Sequence, residues 1–236
     1  MPQTLQPGIL TVTSTYPDPP SELADGSENG VDIDLMGLVC RHLNLQLSRQ
    51  RYLANNFAGI FDELRRKTCD AVISGTTITP DRAKIVRFSR PYAECRVQSR
   101  SGCEPAFNSG RLRPGATARA HSVHSVGQSS DFVARRWVAE GVIAAINYYP
   151  YHGIMTALDD LEMGKVELVI KLFPVISWLI KDRPELEVAM PVPTHEKLGI
   201  AFALDNVELC DVINDALQTL ENDGELAKLR SRWFPA

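Results

Sequence analysis

Residues 74 to 84 read "SGTTITPDRAK" and follow the apolar run "CDAVI". Within residues 74 to 82 the chain gathers the hydroxyls of Ser74, Thr76, Thr77 and Thr79, the bare backbone of Gly75 and the guanidinium of Arg82. An arginine fork grips a carboxylate through two parallel charge-assisted hydrogen bonds, and hydroxyls and main-chain groups complete such a site. Thr79 before Pro80 and Asp81 is also an ordinary helix start, which would leave Arg82 a solvated surface charge. A second group stands in "VGQSSDFVARRW", where Ser129 and Ser130 precede a helical pattern. There they either cap the helix or meet an anion at its N-terminus.

The elements that must position these groups alternate in type. "GILTVTS" predicts a strand and "TYPDPPSELADGSENG" a long loop; "DIDLMGLVCRHL" then has Leu35, Leu38, Val39 and His42 at helical spacing, with Asp32 or Asp34 as N-cap. "FAGIFDELRRKT" predicts a second helix and "CDAVISG" a buried strand. The segment "SRSGCEPAFNSGRLRPGATARAHS" has little apolar periodicity and marks a crossing into a second α/β set. That set comprises strand "HSVGQ", helix "SDFVARRWVAEG", strand "VIAAINYY", helix "GIMTALDDLEMG", strand "KVELVIKL" and helix "FPVISWLIKDRP". The chain closes with strand "KLGIAFAL", a helix with an apolar stripe ended by Gly224, and "ELAKLRSRWF" as a short docking helix. In open α/β sheets ligands collect beyond the carboxyl ends of strands, and the Ser74–Arg82 and Ser129–Asp131 stretches both fall there. By default Tyr16 and Phe57 are core or loop anchors.

Composition excludes several classes. The 236 residues, 44% hydrophobic and 23% charged, describe a globular chain, and a formal net charge of −4 without a basic stripe argues against a nucleic-acid partner. No window reaches the roughly 18 apolar residues of a spanning helix, and "MPQTLQPGIL" lacks the pattern of a signal peptide. The five cysteines have no CxxC spacing, so neither a zinc site nor a dense disulfide framework is expected, although Cys95 and Cys103 could bridge. His121 and His124, three apart on a strand, point to opposite faces, and no metal or cofactor is expected.

"GILTVTSTY", "NGVDIDL", "NFAGIFDELRRKTCDAVISGTTITPDRAKIVRFSRPY", "VGQSS", "GKVELVI", "LGIAFA" and "INDALQTLENDGELAKLRSRWF" together resemble, in order, the landmarks of the bacterial extracellular solute-binding proteins of polar amino-acid ABC transporters. The resemblance implies a two-lobed periplasmic-binding-protein type II fold, α/β in each lobe, with the ligand cleft between lobes. Lobe 1 would comprise residues 1–95 and 197–236, and lobe 2 residues 96–196. Hinges are expected near Glu94 to Arg96 and Thr194 to Lys197. Carried over by position, Arg82 resembles the arginine that pairs with a ligand carboxylate. Thr77 and the Gly75 carbonyl resemble the groups that receive an ammonium, with Ser74 and Thr76 lining the same turn. Tyr16 and Phe57 are similar to aromatics that sandwich the ligand side chain, and Ser129, Ser130 and Asp131 to the second lobe's carboxylate-contacting loop. One departure stands out: where the family places an aspartate for the ammonium, this chain has Lys171 and Leu172.

The function implied is capture of a small carboxylate, an amino acid or a derivative with or without a second acidic group, by hinge closure. The partner would be an ABC transporter membrane permease, the protein a monomer, and the location periplasmic or membrane-anchored extracellular, with the export signal removed. If Lys171 projects towards the ligand, it and Arg82 favour a second acidic group; if the strand faces are reversed, Lys171 lies at the lobe edge. The alternatives are a cyclohexadienyl-dehydratase-like enzyme, disfavoured because its general acid would fall at Lys171 and Leu172, and a sensory ligand-binding domain of a receptor.

Overall fold

The computed structural model describes residues 2–23, 29–53, 56–94, 103–108, 123–124, 129–150, 153–188 and 196–234; within these, the side chains of residues 103–108, 123–124, Ser129 and Pro174 lie outside the description. The chain divides into two compact units. The first is Met1–Leu53, Ala58–Glu94 and Glu196–Ala236; the second is Ala54–Phe57 and Cys95–His195. The sequence had put all of residues 1–95 in the first lobe, whereas Ala54–Phe57 cluster with the second unit.

In the first unit, β1 (Ile9–Thr15) lies between two parallel neighbours, β2 (Gln46–Tyr52) and β3 (Ala71–Val72). Its Leu10 and Val12 are fully buried. β2 escaped the sequence reading because "QLSRQRY" is polar and half-exposed, as befits the edge of the sheet order β2-β1-β3-β12-β4. Helix α1 (Val31–Leu43) buries Leu35, Met36 and Val39. Its N-cap position is Gly30, not Asp32 or Asp34; Asp32 sits inside the first turn and Asp34 accepts a hydrogen bond from Trp233 Nε1 at 2.8 Å. A 3-10 turn, Phe57–Ile60, leads into the short α2 (Phe61–Arg65), and β4 (Arg87–Phe88) and β5 (Ala93–Glu94) end this stretch.

The returning chain forms β11 (Lys197–Leu198), antiparallel to β5, and β12 (Ala201–Phe202), antiparallel to β3 and β4. "KLGIAFAL" is therefore two short strands broken at Gly199 and Ile200. There Gly199 N–H donates to Thr76 O at 2.9 Å and Ser89 N–H to Ile200 O at 2.8 Å. Lys197 Nζ and Glu94 Oε1, partners in the β5–β11 pair, stand 3.3 Å apart; of the other residues in the expected hinges, Cys95, Arg96, Thr194 and His195 lie outside the described residues. Helix α6 (Val207–Asn222), capped by the Asn206 side chain, buries Leu209, Ile213, Leu217 and Leu220, and α7 (Glu225–Trp233) follows Gly224 at φ 77°.

The second unit has the sheet order β10-β6-β9-β7-β8. Its strands are β6 (Cys103–Asn108), β7 (Val123–His124), β8 (Tyr148–Tyr149), β9 (Val169–Leu172) and β10 (Leu186–Val188). The segment read as a structureless crossing thus supplies a strand, while the predicted strand "VIAAINYY" shrinks to its last two residues, with Val142 48% exposed. Helices α3 (Ser129–Ala139), α4 (Ile154–Glu162) and α5 (Phe173–Ile180) cover the sheet. Val169 packs in the cluster around α4 and α5, whereas Ile170 joins Val133, Ala134 and Trp137 of α3. Both faces of β9 are covered, which is why Val169 and Ile170, neighbours that point to opposite faces, are both apolar. Cys40, Cys69 and Cys210 are free buried thiols, and burial pushes the first two up to about 11. The Cys95–Cys103 pairing lies outside the described side chains.

The entry to α1 allows no side chain at Gly30, where a Cβ would come within 2.0 Å of Ser21 O and 2.8 Å of Glu22 Cα. Both neighbours are backbone and cannot swing aside. Gly30→Ala should therefore cost at least the roughly 1–3 kcal/mol of an overpacked core, read as a lower urea midpoint with an unchanged slope.

Candidate functional site

In the first unit the carboxyl edge of β3 runs straight into the threonine-rich turn. Ile73 N–H still bonds Thr13 O at 3.0 Å, and the chain then folds over at Gly75, whose φ of 50° is left-handed. Thr76 is fully buried and its hydroxyl lies 3.5 Å from Ser74 O, so its side chain serves the turn. Ile78 N–H donates to Lys197 O at 2.8 Å, tying the turn to the returning strand. The Thr77 hydroxyl donates to the carboxylate of Glu196, which is only 4% exposed.

Arg82 opens a three-residue 3-10 turn, Arg82–Lys84, rather than a full helix. Thr79 nonetheless behaves as expected of a cap: its Oγ1 accepts from Arg82 N at 3.2 Å and its carbonyl from Ala83 N at 2.9 Å. The guanidinium is half-buried, donates Nη1–H to Thr77 O at 2.8 Å and stands 5.8 Å from the centre of the Phe61 ring. It is held against the turn and is not a solvated surface charge.

The neighbouring strand ends carry a polar cluster. Ser74 accepts from Thr15 N at 3.2 Å and shares a hydroxyl–hydroxyl bond with Thr15, and the Thr15 hydroxyl also donates to Asp18 Oδ2 at 3.2 Å. Ser14 donates to Glu22, 1% exposed, whose other oxygen accepts Arg51 Nε at 2.9 Å. The Arg51 guanidinium lies 3.8 Å from the centre of the Tyr16 ring.

Beneath the turn is Asp32, fully buried, accepting from Gly75 N and Tyr92 OH, each at 2.7 Å. Desolvation outweighs these two bonds and pushes its carboxyl up to about 7.

In the second unit Ser130 Oγ is buried and has no hydrogen-bond partner among the described residues, so it does not cap α3; the Ser129 side chain lies outside the description. Asp131, 3% exposed, accepts Arg135 Nε and Tyr148 OH on one oxygen, both at 2.9 Å, and so braces the helix start. Lys171 is 6% exposed, and Leu172 packs against both apolar clusters. The register partner of Lys171 is Glu104. Phe57 is 4% exposed.

A family model described as "Bacterial extracellular solute-binding proteins, family 3" matches residues 10–236. The chain belongs to this family. It is 27% identical over 231 residues to ABC transporter arginine-binding protein 1 of Escherichia coli strain K12, covering 95% of this chain and 89% of that one. Among solved structures it resembles an ancestral arginine-binding protein bound to arginine, at 26% identity and a TM-score of 0.82 over 96% of this chain and 98% of the other. A structure of an ancestral arginine-binding protein bound to glutamine matches at 26% identity and a TM-score of 0.82, over 98% and 100% of the two chains. Its fold is the two-lobed periplasmic-binding-protein type II fold, α/β throughout.

For this solute-binding protein the sequence had singled out no acid near Thr77. The structure brings Glu196 there from 119 residues away, and Asp18, Glu22 and Arg51 to the adjacent strand ends. Arg51 closes a strand that was not predicted, and Glu22 stands in a loop whose folding back on Ser14 no periodicity foretells.

The pH response of Asp32 follows from its sign. Its folded value, about 7, lies above the ordinary 3.8, so the folded chain keeps a proton that the unfolded chain has lost, and stability falls as pH rises from about 4 to about 7. At about 1.4 kcal/mol per pH unit the ceiling is about 4 kcal/mol. Asp32→Asn can accept from Gly75 with its oxygen and donate to Tyr92 with its amide. Its unfolding free energy relative to the parent should therefore rise by about 1–4 kcal/mol between pH 4.5 and pH 8, measured by urea titration at both values.

Proposed function

We propose that this solute-binding protein captures a free α-amino acid, or a small derivative of one, as the substrate-binding component of an ABC importer, in the periplasm or at the outer face of the membrane. The observation that carries this reading is the pairing, in one turn, of the Arg82 guanidinium fixed on Thr77 O with the buried Glu196 carboxylate on Thr77 Oγ1. A guanidinium has five N–H donors, so one can hold the turn while its fork takes a carboxylate. Glu196, with the Thr77 hydroxyl and the Gly75 carbonyl, is the proposed seat of the ammonium. The aspartate missing at Lys171 is thereby replaced by an acid further along the chain, at Glu196.

The remaining proposed contacts are of unequal kind. Ser74 shapes the turn through Thr15 and Asp18, and Thr76 through the Ser74 carbonyl. Tyr16 and Phe57 are proposed apolar walls for the ligand side chain. Ser129 and Ser130 are proposed carboxylate contacts at the start of α3, with Asp131 positioning that start, and Lys171 a proposed source of positive charge. Capture is proposed to proceed by hinge closure, the ligand's binding energy shifting an open–closed equilibrium, with an ABC permease as the receiving partner. The relatives that match over most of the chain are named as binding proteins, which supports capture without turnover.

Arg82→Ala should weaken the best ligand of an L-amino-acid panel by about 2–5 kcal/mol in calorimetry, as removal of one partner from a buried charge pair does. Affinity near that of the parent would remove Arg82 from the site.

Ser130 separates binding from folding. Its hydroxyl has no hydrogen-bond partner among the described residues, so Ser130→Ala should leave the urea midpoint unchanged or slightly raised. The same variant should bind the amino acid about tenfold more weakly, at the ~1 kcal/mol of a lost hydrogen bond. A lowered midpoint with unchanged affinity would make Ser130 a structural residue.

A further inference from the structure

Arg51 and Tyr16 close adjacent strand ends in the first unit. β1 and β2 run parallel with Ser14 opposite Arg51 and Thr15 opposite Tyr52, so Tyr16 and Arg51 emerge together at the carboxyl edge. The proposed amino-acid turn, Ser74 to Thr77, leaves the same edge on the other side of β1. The guanidinium is clamped in two ways: the Tyr16 ring lies beneath it at 3.8 Å, and Glu22 Oε1 accepts its Nε–H at 2.9 Å. Glu22 is 1% exposed and is itself oriented by the Ser14 hydroxyl, whereas the Arg51 side chain is 39% exposed. An aromatic face and a buried, oriented carboxylate at right reach of one another make a receptor for a guanidinium. In this chain that receptor is filled from within.

We propose that Arg51 is the selectivity residue of the amino-acid site: a resident guanidinium that occupies the cation-binding face of Tyr16 and Glu22 and offers its own donors to the ligand's side chain. The site therefore takes amino acids whose side chain ends in a carbonyl or carboxylate acceptor and refuses those ending in a cation. This rests on the reading of Arg82 as the carboxylate partner. A cationic tip would meet Arg51 by like-charge repulsion, or would have to expel it from Glu22 and leave a guanidinium without its buried partner.

The test titrates L-glutamine, L-glutamate, L-arginine and L-alanine into the parent chain and into Arg51→Ala and Arg51→Lys, by calorimetry with melting curves alongside. The parent should bind glutamine or glutamate at least tenfold more tightly than arginine. Arg51→Ala vacates the Tyr16 face and the Glu22 carboxylate, so it should lose at least tenfold for the acceptor-ended ligand, keep alanine within threefold, and gain at least tenfold for arginine. Added arginine should also raise the melting temperature of this variant more than that of the parent. Arg51→Lys keeps a charge for Glu22 but no flat fork; it should melt near the parent, still refuse arginine and bind the acceptor-ended ligand at least fivefold more weakly, which decides the matter if the alanine variant does not fold. An unchanged order of preference in the variants, or a parent that prefers arginine, overturns the role of Arg51. Arg82→Ala then shows whether the amino-acid site itself stands, and a parent that binds none of the four overturns both readings.

Discussion

The first unit depends on one buried carboxylate. Asp32 accepts the Gly75 amide and the Tyr92 hydroxyl at 2.7 Å each, and so ties the first turn of α1 both to the threonine-rich turn and to the residue that precedes β5. An unpaired carboxylate in such a place would be prohibitively costly, and two donors aimed at it are what make its burial tolerable. The cost is not fully cancelled, as its raised proton affinity records. The bonds act in the other direction as well. A left-handed glycine at the tip of a loop has no side chain to anchor it, and its amide is the one handle by which a helix can fix where its carbonyl points.

A second constraint acts from the far end of the chain. Residues 196–202 run through the first unit as a seam: Lys197 O takes Ile78 N–H, Leu198 O takes Tyr92 N–H, Gly199 N–H reaches Thr76 O, and Ile200 O takes Ser89 N–H. Two of these bonds, from Ile78 N–H to Lys197 O and from Gly199 N–H to Thr76 O, hold the turn by its backbone. They also deliver Glu196 to Thr77, so the acid and the guanidinium that meet at Thr77 belong to segments more than a hundred residues apart in sequence. Such non-local pairing is entropically expensive to form, and the payoff is a turn braced both by Asp32 and by the returning chain.

What was legible in the sequence follows from the range over which each signal acts. Helices α1, α4 and α6 declared themselves through the spacing of Leu35, Val39, Leu158, Leu161, Ile213 and Leu217, because burial of one face imposes its period locally. Strand β9 was legible because both of its faces are covered. Strand β2 was not, since an edge strand alternating among Gln, Ser and Arg looks like solvated loop. "VIAAINYY" misled for the opposite reason: an apolar run satisfies a strand pattern whether or not a partner strand lies beside it, and only Tyr148 and Tyr149 find one. In the site, the resemblance drew attention to Arg82, Thr77 and Ser130, each set by local motif. Glu196, Glu22 and Arg51 act through contacts that only the folded chain creates.

This difference bears on how ligand preference can be read at all. From Lys171 alone the site looked short of an acid for an ammonium and long in positive charge. The folded first unit instead brings three carboxylates, Asp18, Glu22 and Glu196, to the carboxyl edge of its sheet. Their sum would suit a cation, yet a sum is a poor guide where each charge already has its own partner. Glu22 is neutralised by Arg51 and Asp18 is bound by the Thr15 hydroxyl, while Glu196 takes the hydroxyl of Thr77. The field that a ligand meets is set by which of these pairs it must break and which it can join. On the proposal made for Arg51, a ligand that joins the guanidinium over Tyr16 leaves its pairing with Glu22 intact, whereas one that displaces it leaves a guanidinium without that partner. Preference at this edge would then be governed by the pairings among the protein's own charges more than by their total.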